Sequence, residues 1–305
     1  MKKNDLSVIF LMWVPYGQDY LISFIESYLK FKPGVEHNLV ILFNGCKEPE
    51  VINPYLDFLK SRKIDFAYLQ LESGQDIAAY HWAASQLDTE YVLFFNTYSE
   101  IQYDNWGRNY LNAIKKKNVG CVGATGSWLS WFSYGFQRAK FLLSNNLTIR
   151  QNLPYFEAKK IKITSLSIVI PARITLLGAL IKSIVKYNNF PKYPNPHLRT
   201  NAFIIKRELW LSLDFPGLDD KKQAHQFESG ANSLTKQVLK SGKSVLVMNK
   251  HGELFEPEFW NKSKTLWSQG QRDLLVTDNF TKQYEVSPKD TQLAFQNFLW
   301  GNKLH

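Results

Sequence analysis

Cysteine is scarce in this chain of 305 residues, which has only Cys46 and Cys121. They stand far apart and fit no metal-ligand or redox spacing. A disulfide framework is therefore excluded, and both read as reduced thiols of a cytosolic protein. No apolar run is long enough to span a bilayer. A basic tail, zinc-finger spacing and an RNA-recognition signature are also missing. Nucleic acid is therefore not an expected partner, although the net charge is +10. A leader peptide is not expected either. Met1, Lys2 and Lys3 precede an apolar run, but Asp5 interrupts the basic region and no small-residue cleavage site follows. Residues 6–14 thus read as a first strand, closed by the turn Pro15, Tyr16, Gly17.

What the chain has in quantity is aromatic residues, 15% of the total, with 9 Trp, 15 Tyr and 21 Phe. Ring faces pack on pyranoses, but they serve cores and interfaces equally, so composition alone assigns no function. Hydrophobic content of 45% and charged content of 21% are ordinary for a globular α/β protein of this length. The basic balance favours phosphates or anionic lipid as partners.

Strand and helix signals alternate along the first 127 residues. Strands are expected over 6–14, 37–43, 64–71, 91–95 and 120–124, with helices over 19–31, 54–62, 75–86 and 106–116. Such alternation with short connections implies a doubly wound, largely parallel sheet. Residues 128–200 break the rhythm and read as an insertion over the site. Within it, 171–187 has helical periodicity, with Ile174, Leu177, Ile181 and Ile184 on one face, flanked by Arg173, Lys182 and Lys186. That helix suits packing on its own domain; a peripheral contact with the inner face of a membrane is the alternative. From residue 201 the pattern resumes. Strands are expected over 202–205 and 244–248, helices over 207–213 and 229–241, and a loop-rich C-terminal region follows.

The segment 91–101 carries the most information. It is a buried-type strand that ends in a polar cluster, Asn96, Thr97, Tyr98, Ser99 and Glu100. Ligands of open α/β sheets sit beyond the carboxyl ends of strands, so this is a site candidate.

With the segments 122–128, 194–203, 227–230 and 267–279, this cluster resembles GT-A-type glycosyltransferases related to the family 2 enzymes of bacterial surface-polysaccharide pathways. The resemblance implies a Rossmann-like mixed sheet divided into a nucleotide-sugar half (1–127), the insertion (128–200) and an acceptor half with tail (201–305). It implies a nucleoside diphosphate sugar donor and a glycan or lipid-linked glycan acceptor. Base and ribose contacts fall on Pro15, Tyr16, Asn44 and Asp76. Donor contacts fall on Asn96, Thr97, Tyr98 and Arg199, and the general base falls on Glu228, with Asp219 and Asp220 in reserve. The family keeps a metal-binding Asp where this chain has Tyr98. Glu100 is the one carboxylate left in the cluster to hold Mg²⁺ or Mn²⁺, which want carboxylate oxygens. Cations such as Arg199, Lys264 or Arg272 are the alternative for offsetting leaving-group charge.

Most of these residues also have an ordinary structural reading. Asn44-Gly45 reads equally as a turn, Asp76 as a first-turn acid and Glu228 as a cap for a helix starting at Ser229. His197 and His251 are lone histidines. Trp260 and Trp267 suit either stacking on an acceptor sugar or the core. A nucleotidyltransferase is disfavoured because residues 15–19 lack a Gly-rich basic phosphate loop. A catalytically degenerate glycan- or nucleotide-binding protein is the second reading, motivated by Tyr98.

Overall fold

The computed structural model describes residues 4–133, 187–215 and 221–301. The amphipathic stretch expected over 171–187 lies outside them except for Tyr187, and Asp219 and Asp220 also lie outside.

The N-terminal part runs β1 (Leu6–Trp13), α1 (Asp19–Lys30), β2 (Asn38–Asn44), α2 (Asn53–Ser61), β3 (Ala67–Leu71), α3 (Asp76–Ser85) and β4 (Tyr91–Phe95). Then follow β5 (Glu100–Ile101), α4 (Trp106–Ile114), β6 (Val119–Gly123) and β7 (Gly126–Ser127). After the insertion come β8 (His197–Leu198), β9 (Ala202–Lys206), α5 (Arg207–Ser212), α6 (Lys221–Ser229) and α7 (Leu234–Lys240). The chain closes with β10 (Ser244–Met248), β11 (Leu254–Phe255), β12 (Val276–Thr277), α8 (Asn279–Val286) and α9 (Lys289–Trp300).

The central sheet has eight strands in the order β11-β10-β6-β9-β4-β1-β2-β3. The β3-β2-β1-β4 and β6-β10 pairs are parallel, while β9 runs antiparallel between β4 and β6. Strands from the 1–127 and 201–305 segments therefore share one mixed sheet. Both faces are covered, so the central strands are apolar throughout rather than alternating. Along β1, Leu6, Val8, Phe10 and Met12 join the core under α1 and α4, while Ile9 and Leu11 join the core under α3.

Two expectations fail. The helix expected over 229–241 is the shorter α7, Leu234–Lys240, and an unexpected helix, α6, precedes it and ends at Ser229, with a break at residues 230–233. The break falls at Gly230, where a Cβ would come within 2.5 Å of the Gln226 carbonyl oxygen. The C-terminal region, expected to be loop-rich, carries α8 and α9. Asp278 caps α8: its side chain accepts from the Thr281 amide at 2.9 Å and the Thr281 hydroxyl accepts from the Asp278 amide at 2.7 Å. Trp260 and Trp267 belong to the core, 0% and 4% exposed, with Trp267 stacked on Phe295. They present no face to an acceptor sugar. Among the described residues no helix is long and apolar enough to cross a membrane.

Candidate active site

A cavity of about 380 Å³ opens beyond the carboxyl ends of β1, β2 and β4. Its wall contains Tyr16, Asn44, Asp76, Asn96, Thr97, Tyr98 and Glu228, brought together from distant parts of the chain.

Each is set by its own local chemistry. Thr97 clips two strand ends together: its hydroxyl donates to the Leu11 carbonyl at 2.8 Å and accepts from the Trp13 amide at 3.0 Å. Asn96 makes an Asx turn, its Oδ1 accepting from the Tyr98 amide at 3.1 Å. That turn aims the Tyr98 ring at Tyr16 and Tyr20, with centroids 5.7 and 5.2 Å away. Buried Asn44 donates through Nδ2 to the Gly74 carbonyl at 2.9 Å, while its Oδ1 has no hydrogen-bond partner. Gly45 follows with φ +83°, and a Cβ there would meet Pro15 at 2.9 Å and Trp13 at 3.0 Å. A glycine is what lets the end of β2 approach the β1 turn this closely. Pro15 is thus packing behind the wall and does not line the cavity.

Two carboxylates face the same space. Asp76 opens α3, and its Oδ1 accepts from the Ile77 amide at 2.9 Å. Burial, then the charge of Glu228, raises the Asp76 pKa from 3.8 to about 6. Glu228 lies in the last turn of α6, not before a helix as expected. One of its carboxylate oxygens accepts from both the amide and the hydroxyl of Thr200, each at 3.1 Å.

Other expected residues are used elsewhere. Arg199 is turned away, 2.7 Å from Asp278 and stacked on Phe280. Glu100 pairs with Lys282 beside the β5-β12 ribbon and does not line the cavity. Lys264 and His251 approach Asp273 at 3.5 and 3.3 Å, and Arg272 donates to the Gln269 carbonyl at 3.2 Å. His197 is buried with Nδ1 2.7 Å from the Asn195 carbonyl oxygen, and burial lowers its pKa despite the nearby Glu228. It therefore acts as a neutral packed ring.

The sequence reading missed Lys221, Ala224 and His225, which line the cavity with Glu228. Their i, i+3, i+4, i+7 spacing is that of one helix face. Only Ala224 of the four is apolar, so the sequence carried almost no amphipathic signal for α6.

Divalent cations want several hard oxygen ligands. The described residues hold no group of three or more His, Cys, Asp or Glu side chains placed to bind one. Tyr98 at the strand end and Glu100 on Lys282 make the donor set there unsuited to Mg²⁺ or Mn²⁺.

No protein-family model matches the chain, and no curated protein matches its sequence. Among solved structures it is similar to S. aureus TarS 1–349 in complex with UDP-GlcNAc, at 18% identity and a TM-score of 0.31. That match covers 39% of this chain and 33% of the other, so the chain spans about a third of that protein. It is similar to GalNAc-T7 with UDP, GalNAc and Mn²⁺, at 13% identity and a TM-score of 0.46, over 84% of this chain and 43% of that one. It is similar also to the mannosyltransferase PcManGT from Pyrobaculum calidifontis in complex with GDP-Man and Mn²⁺. There the identity is 10% and the TM-score 0.43, over 96% of this chain and 69% of that one.

Proposed function

We propose that the protein is a glycosyltransferase that moves a sugar from a nucleoside diphosphate donor to a hydroxyl of a glycan or lipid-linked glycan. One observation carries this reading. Tyr16, Asn44, Asp76, Asn96, Thr97, Tyr98 and Glu228, picked out along the sequence, share one cavity at the carboxyl edge of the sheet. The nucleoside lies at the Asn44 end, against the unpartnered Oδ1. The sugar and acceptor lie toward Thr200 and Glu228. Glu228, oriented by Thr200, takes the proton of the acceptor hydroxyl as its oxygen bonds to the anomeric carbon. The bond from that carbon to the diphosphate breaks, and a single displacement of this kind inverts the anomeric centre. A role in bacterial surface-polysaccharide synthesis, at the cytoplasmic side of a membrane, fits the acceptor class.

The test is a thermal-shift screen of nucleoside diphosphate sugars, followed by transfer assays with the stabilising donor. A donor that raises the melting temperature and is turned over supports the reading; no stabilisation by any of them rejects it. Tyr98 favours a second reading, a glycan- or nucleotide-binding protein without turnover. Donor binding with neither transfer nor hydrolysis would select it.

A further inference from the structure

A donor diphosphate brings negative charge into a cavity whose wall already holds two carboxylates, Asp76 and Glu228. Something must offset that charge, above all as the diphosphate leaves. The strand-end donor set does not suit a divalent cation. The cations suggested by the sequence are taken: Arg199 by Asp278, Lys264 by Asp273, and Arg272 by the Gln269 carbonyl on the exposed surface. Among the described residues, Lys221 is the lysine or arginine that lines the cavity. It stands on α6 two turns before Glu228, on the same helix face.

The cavity wall also presents phenols. Tyr16 and Tyr98 both line the cavity, with ring centroids 5.7 Å apart. Burial, then the neighbouring Tyr16, pushes the Tyr98 pKa upward, so the phenol keeps its proton. Two hydroxyls bring two protons. Each is a donor that an incoming acceptor oxygen can use. A phenol donating to a phosphate oxygen makes a charge-assisted bond, stronger than one between neutral groups.

We infer, on the donor reading above, that Lys221 and the hydroxyls of Tyr16 and Tyr98, which line the same cavity, hold the donor diphosphate in place of a divalent metal. Lys221 supplies the positive charge, and the phenol pair supplies direction. The nucleoside contributes its own contacts at Asn44, independent of both.

Calorimetric titration in EDTA tests this, using uridine and guanosine alongside uridine diphosphate and guanosine diphosphate. For the preferred base, the wild type should bind the diphosphate at least about tenfold more tightly than the nucleoside. Lys221→Met and Tyr98→Phe should each weaken the diphosphate by about tenfold, the scale of a lost charge-assisted bond. Nucleoside affinity should stay within about twofold. Tyr16→Phe, which keeps the ring packing, should repeat the Tyr98→Phe result. Added salt should weaken diphosphate binding less in Lys221→Met than in the wild type. The inference is overturned if these variants keep wild-type diphosphate affinity, or if the wild type needs Mn²⁺ to bind the diphosphate. A wild type that binds neither diphosphate would reject the donor reading itself, and this assignment with it.

Discussion

Arg199 Nη2 lies 2.7 Å from Asp278 Oδ2, and the Asp278 side chain is wholly buried. The contact lies off the line of a hydrogen bond and acts as an ion pair. Asp278 also caps α8, and Arg199 stacks on Phe280 in the first turn of that helix, 4.9 Å from the ring centroid. The pair joins the strand-end region before β9 to the C-terminal helices.

Arg199→Met should therefore act on stability. Removing one member of a buried pair strands the other charge, at a cost of about 3 kcal/mol. Thermal and urea unfolding should show this loss, and Asp278→Asn placed on top should recover part of it. Nucleotide affinity, measured below the melting transition, should stay near wild type. A variant of unchanged stability with weakened donor binding would return Arg199 to the donor site.

This residue marks the limit of what the sequence could reveal. The alternation of strands and helices was legible because the strands are continuous apolar runs such as Ile9, Phe10 and Leu11. The cavity residues Asn44, Asp76 and Asn96 were legible because they end strands or open a helix. Helix α6 was hidden because its sequence, Lys-Lys-Gln-Ala-His-Gln-Phe-Glu-Ser, buries only Ala224, Phe227 and Ser229. That leaves almost no apolar stripe to read. Whether Arg199 faces a ligand or Asp278, and whether Glu100 faces a metal or Lys282, depends on chain segments that meet only after folding. The large rings of Trp260 and Trp267 gave no hint of side, since loop position and burial are compatible for Trp.

Asp76 should make stability depend on pH. A carboxyl whose pKa is raised by folding costs stability wherever it is ionised. The cost is absent below the unfolded value of 3.8, grows as pH rises to about 6, and is constant above that. Asp76→Asn removes the charge and keeps an oxygen for the Ile77 amide. It should be more stable than wild type by about 1–2 kcal/mol at pH 7.5, discounted for the water of the cavity, and equal to it near pH 4. Urea unfolding at both pH values measures this. An Asn variant that is less stable at pH 7.5 would mean that the ionised carboxylate is held by favourable contacts.

Glu228 separates chemistry from binding. Glu228→Gln keeps the size of the side chain and an oxygen for the Thr200 amide and hydroxyl, but it cannot accept the acceptor's proton. Turnover should fall by about a hundredfold or more, the usual scale for a general base. Donor affinity should be preserved, because the nucleoside end lies at Asn44. Transfer kinetics with titration of the donor decide it; full activity would leave Glu228 as the anchor for Thr200 alone.

Asn44 should report on the nucleoside, and not on the phosphates. Its Nδ2 is committed to the Gly74 carbonyl, which fixes the amide so that Oδ1 is the atom left without a partner. A buried acceptor in that state is costly until something donates to it. A base edge with an N–H, such as the imide of uracil or the N1 and N2 protons of guanine, or a ribose hydroxyl meets that need; an ionised phosphate oxygen does not. Asn44→Ala should therefore weaken nucleoside and nucleoside diphosphate alike, by about tenfold each. Lys221→Met and Tyr98→Phe weaken only the diphosphate, so the two patterns divide the cavity into a nucleoside end and a phosphate end. The measurement is titration of one nucleoside and its diphosphate against all three variants. A loss in Asn44→Ala confined to the diphosphate would place the phosphates, and not the base, at the end of β2.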